Sequence, residues 1–235
     1  MALASEILYI AEYVVRELGI GCYLPVSATA NDTELRVQDV SLFDPSGGQV
    51  YVLDNDDIFT YTGISGDELT GIPSTGGYVI GGTLNEYTNA NPDMVYRGEL
   101  VSTVELEGML KRYRKWVDAE ALSRDVDRKK HFSSRAWFDM NAALRDDNDD
   151  SYNAVTADTI SYERGTFEFT TARDLGEQLY VAGWRYNPFF TIGDFIEQFA
   201  QDERWTVYSQ IGQTARSKKD ARALADSWRA KGKWF

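Results

Sequence analysis

Apolar residues recur at helical spacing at the start of the chain, and charged residues lie largely off that stripe. The stripe is formed by Leu3, Ile7, Ile10, Val14 and Leu18. This spacing places the apolar side chains on one face of a helix. Because glycine commonly follows the last turn of a helix, Gly19 and Gly21 predict where the helix ends.

The pattern changes between residues 31 and 98, where short alternating runs replace the helical spacing. These runs predict strands at Glu34–Val37, Gln49–Val52, Phe59–Thr62 and Gly77–Ile80. Clusters rich in Gly, Pro and Asp separate the runs and predict turns at 44–48, 54–57, 63–67 and 73–77. Short strands joined by such turns indicate a small β-sheet or barrel.

Helical spacing returns near Ser102. The segment Ser102–Glu105 has the form of a capping box, in which each end residue can bond the other's backbone N–H. The apolar positions that follow predict a helix; they are Leu106, Leu110, Tyr113 and Val117. A further helical turn or two is predicted from Trp137, Met140, Ala143 and Leu144, and the acidic stretch Asp146–Asp150 predicts a loop.

A β-hairpin is predicted next, because Thr159–Tyr162 and Thr166–Phe169 flank a short turn that contains glycine. The run Gln178–Tyr186 predicts a third strand, which the following proline ends. Two helices close the chain. Thr191 and Ser217 are their expected N-cap residues, each with an aspartate three positions later.

Together these elements predict an α+β fold with two domains. A helical domain is formed by residues 1–30 and 99–235 and includes the hairpin, and a small β-sheet or barrel is inserted at 31–98. The two ends of a domain that accepts an insertion often lie close together. We therefore expect the first and last helices to pack against each other.

The balance of charge is strongly acidic, with 24 basic and 37 acidic residues and a formal net charge of -13. Such an excess argues against direct binding to duplex DNA, because phosphates are repelled. It fits a soluble protein, the wall of a channel through which DNA slides, or a protein from a high-salt host. These interpretations stay open.

The sequence predicts no targeting signal and offers no pair of cysteines for a disulfide. The N-terminal residues lack the basic region of a signal peptide, and no run of 18 apolar residues predicts a membrane-spanning helix. Cys22 is the only cysteine, so no intrachain disulfide can form.

The sequence offers little catalytic chemistry. His131 is the only histidine, which excludes a metal site with two histidines, and it lies in a basic run that favours a surface position. No motif supports a Cys22–His131 pair, and no nucleophile elbow, Walker loop or dinucleotide fingerprint occurs. The acidic runs 54–57 and 146–150 do not match the EF-hand spacing, so solvated loops are favoured over calcium sites. We expect a non-enzyme without cofactor or metal, although a pair of carboxylates of the glycosidase type stays open.

The C-terminal segment reverses the charge of the chain. From Ile211 to Phe235 there are seven basic and two acidic residues, a net charge of +5, so the first 210 residues carry -18. Arginine and aromatic residues are enriched in interface hot spots. The segment therefore predicts docking to a partner through Arg216, Lys218, Lys219, Arg222, Trp228, Arg229, Lys231, Lys233, Trp234 and Phe235. A solvated terminus is the alternative.

Two parts of the sequence resemble proteins of tailed bacteriophages. Phe43–Gly47, Tyr61–Gly63 and Leu69–Gly71 resemble a β module of virion proteins, in which a Phe-Pro-Ser-Gly-like turn precedes Tyr-Thr-Gly and Leu-Thr-Gly. Asp44 departs from that pattern, since it stands between Phe43 and Pro45. The sequence departs from the module at a second place. Asp57-Ile58-Phe59 stands where the module usually has the acidic residue that leads into the Tyr-Thr-Gly strand.

The C-terminal half is similar to the head–tail connector (adaptor) proteins of these phages. The similarity rests on Ile160–Phe169, Leu179–Asn187, Gly212–Ser217 and Ala221–Ala225, and it covers about the last 100 residues together with the first helix. The insertion at 31–98 is larger than in compact helical adaptors.

The resemblance implies a structural protein of the virion neck. Adaptors form a ring, commonly of twelve subunits, beneath the portal protein, extend the DNA channel and offer a platform to a tail-side neck or tail-terminator protein. It implies that the final helix contacts the portal and that DNA passes without sequence-specific binding or a membrane. The alternative is another tail, baseplate or decoration protein whose β insertion binds carbohydrate, with exposed aromatics around a shallow groove.

Overall fold

The computed structural model describes residues 3–53, 57–147, 153–209 and 218–233, and these form a mixed α+β structure. Contacts divide the chain into two compact units. Unit 1 contains Met1–Met109 and Phe189–Gly232, and unit 2 contains Leu110–Pro188 and Lys233–Phe235. These boundaries differ from the predicted ones, since residues 31–98 lie in the same unit as residues from both chain ends.

Helices in the described ranges are α1 (Leu8–Leu18), α2 (Thr103–Arg112), α3 (Pro188–Gln201), α4 (Arg204–Tyr208) and α5 (Lys218–Gly232), with short 3-10 helices at Ser5–Ile7 and Val40–Leu42. Unit 1 has strands β1 (Gly21–Tyr23), β2 (Glu34–Arg36), β3 (Gly48–Val52), β4 (Ile58–Tyr61), β5 (Gly63–Ser65), β6 (Glu68–Thr70) and β7 (Met94–Arg97). Unit 2 has β8 (Arg114–Ala121), β9 (Ser123–Arg124), β10 (Lys130–Phe132), β11 (Ala143–Asp146), β12 (Asn153–Val155), β13 (Thr159–Ser161), β14 (Thr166–Glu168) and β15 (Leu179–Tyr186).

Unit 1 contains two antiparallel sheets with strand orders β1-β7-β3-β4 and β2-β6-β5. Alternate residues of the strands point into one core, which includes Leu35, Val50, Phe59, Leu69 and Val95. The β1 strand follows α1 almost directly and pairs with β7, with Gly21 opposite Tyr96. This short connection places α1 against the sheet.

The predicted first helix is confirmed, and its apolar stripe is buried. Leu3, Ile7, Ile10, Val14 and Leu18 are each at most 5% exposed. Gly19 ends the helix in the left-handed conformation, with φ at 69°. Its N–H donates to the carbonyl of Arg16, as at many helix C-termini.

The capping box and the contact between the chain ends are also present in unit 1. The backbone N–H of Ser102 donates to the carboxylate of Glu105 at 3.0 Å, and the N–H of Glu105 donates to the Ser102 hydroxyl at 3.2 Å. The ring of Tyr13 in α1 meets Phe189 edge-on, and Phe189 stacks on Trp228 of α5. Phe189 of α3 thus joins the first and last helices.

Unit 2 is built from two antiparallel sheets, with strand orders β12-β11-β15-β8 and β13-β14-β10-β9. The predicted hairpin is confirmed as β13 and β14, and the predicted third strand is β15. Leu144 and Val181 of the first sheet and Phe167 of the second belong to one core, together with Phe138. The longest strands, β8 and β15, pair with each other.

Two helical predictions in unit 2 are wrong. Tyr113 and Val117 lie beyond α2, and Val117 belongs to β8, where pairing with the apolar β15 overrides the local helical pattern. Trp137 has φ at 62° and lies in an irregular segment between β10 and β11. The N–H of Trp137 donates to Glu163 and its carbonyl accepts from Tyr186, so tertiary contacts fix a conformation that no helix allows.

The predicted helical turn at Met140–Leu144 and the predicted loop at Asp146–Asp150 are also reassigned in part. Ala143 and Leu144 belong to β11, and Asp146 is the last residue of that strand because it pairs with Leu179 of β15. Residues 148–150 lie outside the described ranges.

Three further differences lie in unit 1. Gly77–Ile80 is not a strand. The carbonyl oxygens of Tyr78 and Ile80 each accept one backbone hydrogen bond. The predicted turn 63–67 contains β5, which pairs with β6 through a tight turn at Gly66. Thr191 lies inside α3, since Pro188 fits the first helical position. The Ser217 cap lies outside the described residues.

We predict that Gly21→Ala destabilises unit 1 by about 1–3 kcal/mol, because a new methyl group overpacks the core. A Cβ at this position comes within 2.7 Å of atoms of Tyr96, Val95 and Val15. Urea unfolding followed by tryptophan fluorescence measures the change. Gly77→Ala is the matched control, since nothing lies within 4 Å of its Cβ. Equal midpoints for the two variants would contradict the packing argument.

Candidate functional site

Arg229, one of the predicted docking residues, is held within unit 1. Its guanidinium donates to Asp194 at 2.6 Å and to Glu197 at 2.5 Å, and both acceptors lie on α3. Partial burial opposes the charge of Arg229, but these bonds outweigh it and raise the pKa of Arg229. The arginine therefore fastens α5 to α3 and leaves little of its guanidinium for another protein.

Trp228 is likewise an internal contact, and it is 9% exposed. One of its faces stacks on Phe189, with ring centroids 6.3 Å apart. The ammonium of Lys231 lies 3.6 Å from the centroid of its ring, a cation–π contact. Trp228 and Arg229 thus hold the final helix in place.

The other predicted docking residues divide into three groups. Arg222, Lys231 and Lys233 are exposed to solvent. Lys218 and Lys219 form the start of α5, and only their backbone is described. Arg216, Trp234 and Phe235 lie outside the described residues. The structure therefore assigns exposed cations to α5 and to the residue directly after it, whereas the aromatic Trp228 faces inward.

His131 is buried, so its predicted surface position is wrong. It is the central residue of β10, 1% exposed, while its neighbours Lys130 and Phe132 point outward. The imidazole meets the Phe169 ring edge-on, with ring centroids 5.5 Å apart. Burial lowers the pKa of His131 below its usual value, despite the nearby carboxylates of Asp125 and Glu177.

An ionic cluster lies next to this histidine in unit 2. The guanidinium of Arg173 contacts Glu177, lies 3.5 Å from Asp146, and is 5.3 Å from the centroid of the Phe169 ring. Arg124, the strand partner of His131, donates to the carbonyl oxygen of Glu177 at 3.3 Å. These contacts join β9, β11 and the turn before β15, which is a structural role.

Two kinds of chemistry that the sequence leaves without a motif, a reactive Cys22 and a metal site, can be examined in the described part of the chain. Burial raises the pKa of the Cys22 thiol to about 11, so the reactive thiolate is scarce near neutral pH. Cys22 and His131 belong to different units. Within the described ranges no group of three or more His, Cys, Asp and Glu side chains could hold a metal ion. Residues 54–56 of the acidic run 54–57 lie outside the described residues.

The outer face of the unit 2 sheet carries aromatic and charged side chains that the sequence did not single out. Trp116 of β8 is 49% exposed and meets Trp184 of β15 edge-on at 5.4 Å between centroids. The guanidinium of Arg114 lies 4.2 Å from the Trp184 ring. This pair, together with Arg114, is named the tryptophan face.

A shallow groove of about 170 Å³ lies beside the tryptophan face. Asp118, Ala119, Arg145, Tyr180 and Ala182 line it. The sequence missed this surface because 113–117 were predicted as helix, which separates Trp116 from its partner strand. The alternation Asp118-Ala119-Glu120-Ala121 within β8 was the strand signal available in the sequence.

The chain was compared with family models, curated proteins and solved structures. No family model matches the chain, and no curated protein or solved structure matches it. Among the residues that the structure describes, no helix is both long and apolar enough to cross a membrane.

We predict that Arg229→Leu lowers the free energy of unfolding by about 2–3 kcal/mol, because it removes charge-assisted bonds and leaves Asp194 and Glu197 without this partner. Urea unfolding measures the loss. The control Arg222→Leu alters an exposed arginine of the same helix and shifts stability by no more than about 0.5 kcal/mol. Similar effects of the two substitutions would refute the anchoring role.

The stability of unit 2 is expected to fall as the pH drops below about 6.5. The folded state holds His131 neutral, whereas the unfolded chain takes up the proton more readily, so acid favours unfolding. His131→Phe removes this titration, and its unfolding free energy changes less between pH 7.5 and pH 5.5. Urea unfolding at both pH values gives the comparison. An unchanged pH dependence in the variant would show that other groups cause it.

Proposed function

We propose that this chain is a virion structural protein of a tailed bacteriophage, a head–tail connector (adaptor) rather than an enzyme. In this role its copies form a ring, commonly of twelve, beneath the portal protein at the capsid vertex. The ring extends the DNA channel, and its other side receives a tail-side neck or tail-terminator protein. The protein is made in the host cytoplasm and functions in the virion neck.

The observation that carries the proposal is the exposed charge of α5 on an otherwise acidic chain. Trp228 and Arg229 fix this helix to α3, so the exposed Arg222 and Lys231 are held on a rigid element. The first 210 residues carry a net charge of -18. A fixed basic surface favours encounter with an acidic partner, whether a portal or a neighbouring copy.

Two features of the fold agree with the segments that resemble adaptors. Ile160–Phe169 forms the hairpin of one sheet in unit 2, and Leu179–Tyr186 is the central strand β15 of the other. Both segments are therefore core elements of a folded unit. The final amphipathic helix is α5, which begins at Lys218.

The acidic composition suits a channel for DNA. Negative side chains repel phosphates, so DNA slides past them without being held, and no sequence-specific contact is needed. Contacts repeated around a ring add by multivalency, so each copy can bind its neighbours weakly. A connector of this kind requires no cofactor.

Charge reversal at α5 tests the proposal. We predict that Arg222→Glu combined with Lys231→Glu weakens binding to the portal protein of the same genome by about tenfold or more, because attraction becomes repulsion. Biolayer interferometry with immobilised portal rings measures the affinity, and thermal unfolding verifies that the variant is folded. A truncation at residue 229 is a poorer test, since it removes the bonds of Arg229 to α3.

The matched control reverses two exposed cations of unit 2, Lys129→Glu and Arg164→Glu. It changes the net charge equally and leaves α5 intact, so portal binding stays at the unaltered level. Equal losses in both variants would indicate a general charge effect. Failure of the unaltered chain to bind portal rings and to enter virions would contradict the connector role.

A further inference from the structure

A β-bulge shapes the groove beside the tryptophan face. In the pairing of β8 with β15, Glu120 stands opposite Val181 and Val117 opposite Gly183, so Asp118 and Ala119 both face Ala182. Two residues against one is the arrangement of a bulge, which often redirects a side chain at a binding site. Here it brings both Asp118 and Ala119 to the groove above Ala182.

Two opposite charges on the groove are available to a ligand. Asp118 and Arg145 are exposed, and within the described ranges neither side chain has a hydrogen bond or an ion pair. Arg145 lies on β11 opposite Tyr180 of β15. The groove thus offers a hydrogen-bond acceptor, the Asp118 carboxylate of β8, and several donors, the Arg145 guanidinium of β11. Tyr180 of β15 also lines the groove.

The size and chemistry of the groove favour a small neutral ligand. Its volume of about 170 Å³ is smaller than the roughly 300 Å³ at which sites for drug-sized ligands begin. The opposite charges of Asp118 and Arg145 offset each other, so the groove has no net charge that would favour an anion or a cation. A polyhydroxyl ring satisfies both, because its hydroxyl groups donate to the carboxylate and accept from the guanidinium.

Aromatic side chains next to the groove supply the apolar part of such a site. Ala182 precedes Trp184 by two positions on β15, so both side chains lie on the same face of the sheet. Trp184 and the half-exposed Trp116 extend that face beyond the groove. Flat aromatic surfaces pack against the C–H face of a sugar ring while its hydroxyl groups stay hydrogen-bonded.

We propose that this groove is a subsite for one pyranose ring of a neutral glycan, with Asp118 and Arg145 binding hydroxyl groups and the tryptophan face supporting the adjoining residue. Exposed aromatics also occur within 31–98, at Tyr78 and Tyr87, but this groove lies in unit 2 next to Trp116 and Trp184. The inference does not depend on the connector proposal, because sugar binding and portal binding are measured separately.

The test uses the full chain and four methyl glycosides, those of glucose, mannose, galactose and N-acetylglucosamine. Saturation-transfer NMR and tryptophan fluorescence detect binding. At least one glycoside is expected to bind saturably with a dissociation constant of about 1–10 mM, as suits one small ring with few contacts. Asp118→Asn and Arg145→Gln each weaken that binding by about tenfold, since each removes a charge-assisted hydrogen bond.

Asp127→Asn and Arg164→Gln are the matched controls, because they neutralise exposed residues of the same unit outside the groove. They leave the affinity unchanged, and thermal unfolding shows that all four variants are folded. No saturable binding of any glycoside up to about 50 mM, or binding that both groove variants retain, overturns the proposal. So does binding of inorganic phosphate at the groove. Self-association that Trp116→Ala abolishes would assign the face to a second copy instead, which also overturns it.

Discussion

The pairing of β15 with its two neighbours is the constraint on which unit 2 depends. β15 lies between β11 and β8, and its residues Leu179 and Val181 enter the core. The same pairing exposes Tyr180 and Trp184 in part on the other face. Because side chains alternate along a strand, one set of backbone hydrogen bonds fixes both the core and the outer surface.

This pairing also explains why β8 is a strand at all. Its sequence includes Lys115, Ala119, Glu120 and Ala121, which are residues with good helix propensity. In isolation the segment can continue α2, whereas the exposed edge of β15 offers ladder bonds and a partner for Trp116. The bulge at Asp118 and Ala119 shifts the register of β8 by one residue, and backbone pairing with β15 continues on either side of it.

Unit 1 uses its C-terminal residues differently from what their composition suggests. Arginine and tryptophan are typical of interfaces between proteins. In this chain Trp228 and Arg229 form such an interface within the unit, against Phe189, Asp194 and Glu197 of α3. The exposed cations of α5 are therefore displayed by a helix that is already anchored.

Features set by nearby residues could be predicted from the sequence, and features set by distant partners could not. The α1 stripe, the Ser102–Glu105 capping box and the β13–β14 hairpin each depend on residues within one short segment, so periodicity and turn chemistry sufficed. The strand β8 and the backbone conformation of Trp137 depend on β15 and on Glu163, which no local pattern reveals.

In the candidate site, too, features set by nearby residues could be predicted and features set by distant residues could not. The basic character of the final helix was evident from composition, but the ion pairs of Arg229 required knowing which acidic residues of α3 face it. His131 was misplaced because β10 is only three residues long, too short for alternation to outweigh its basic neighbours. The groove was missed because it arises from a bulge and from the register of three strands.

We propose that this chain functions by binding copies of itself and neighbouring virion proteins. Electron cryomicroscopy of the neck of the native particle is the decisive measurement. We expect a closed ring of this chain directly beneath the portal, around a continuous DNA channel. A chain that is absent from the neck, or that occurs as a solitary subunit in the mature particle, would contradict it.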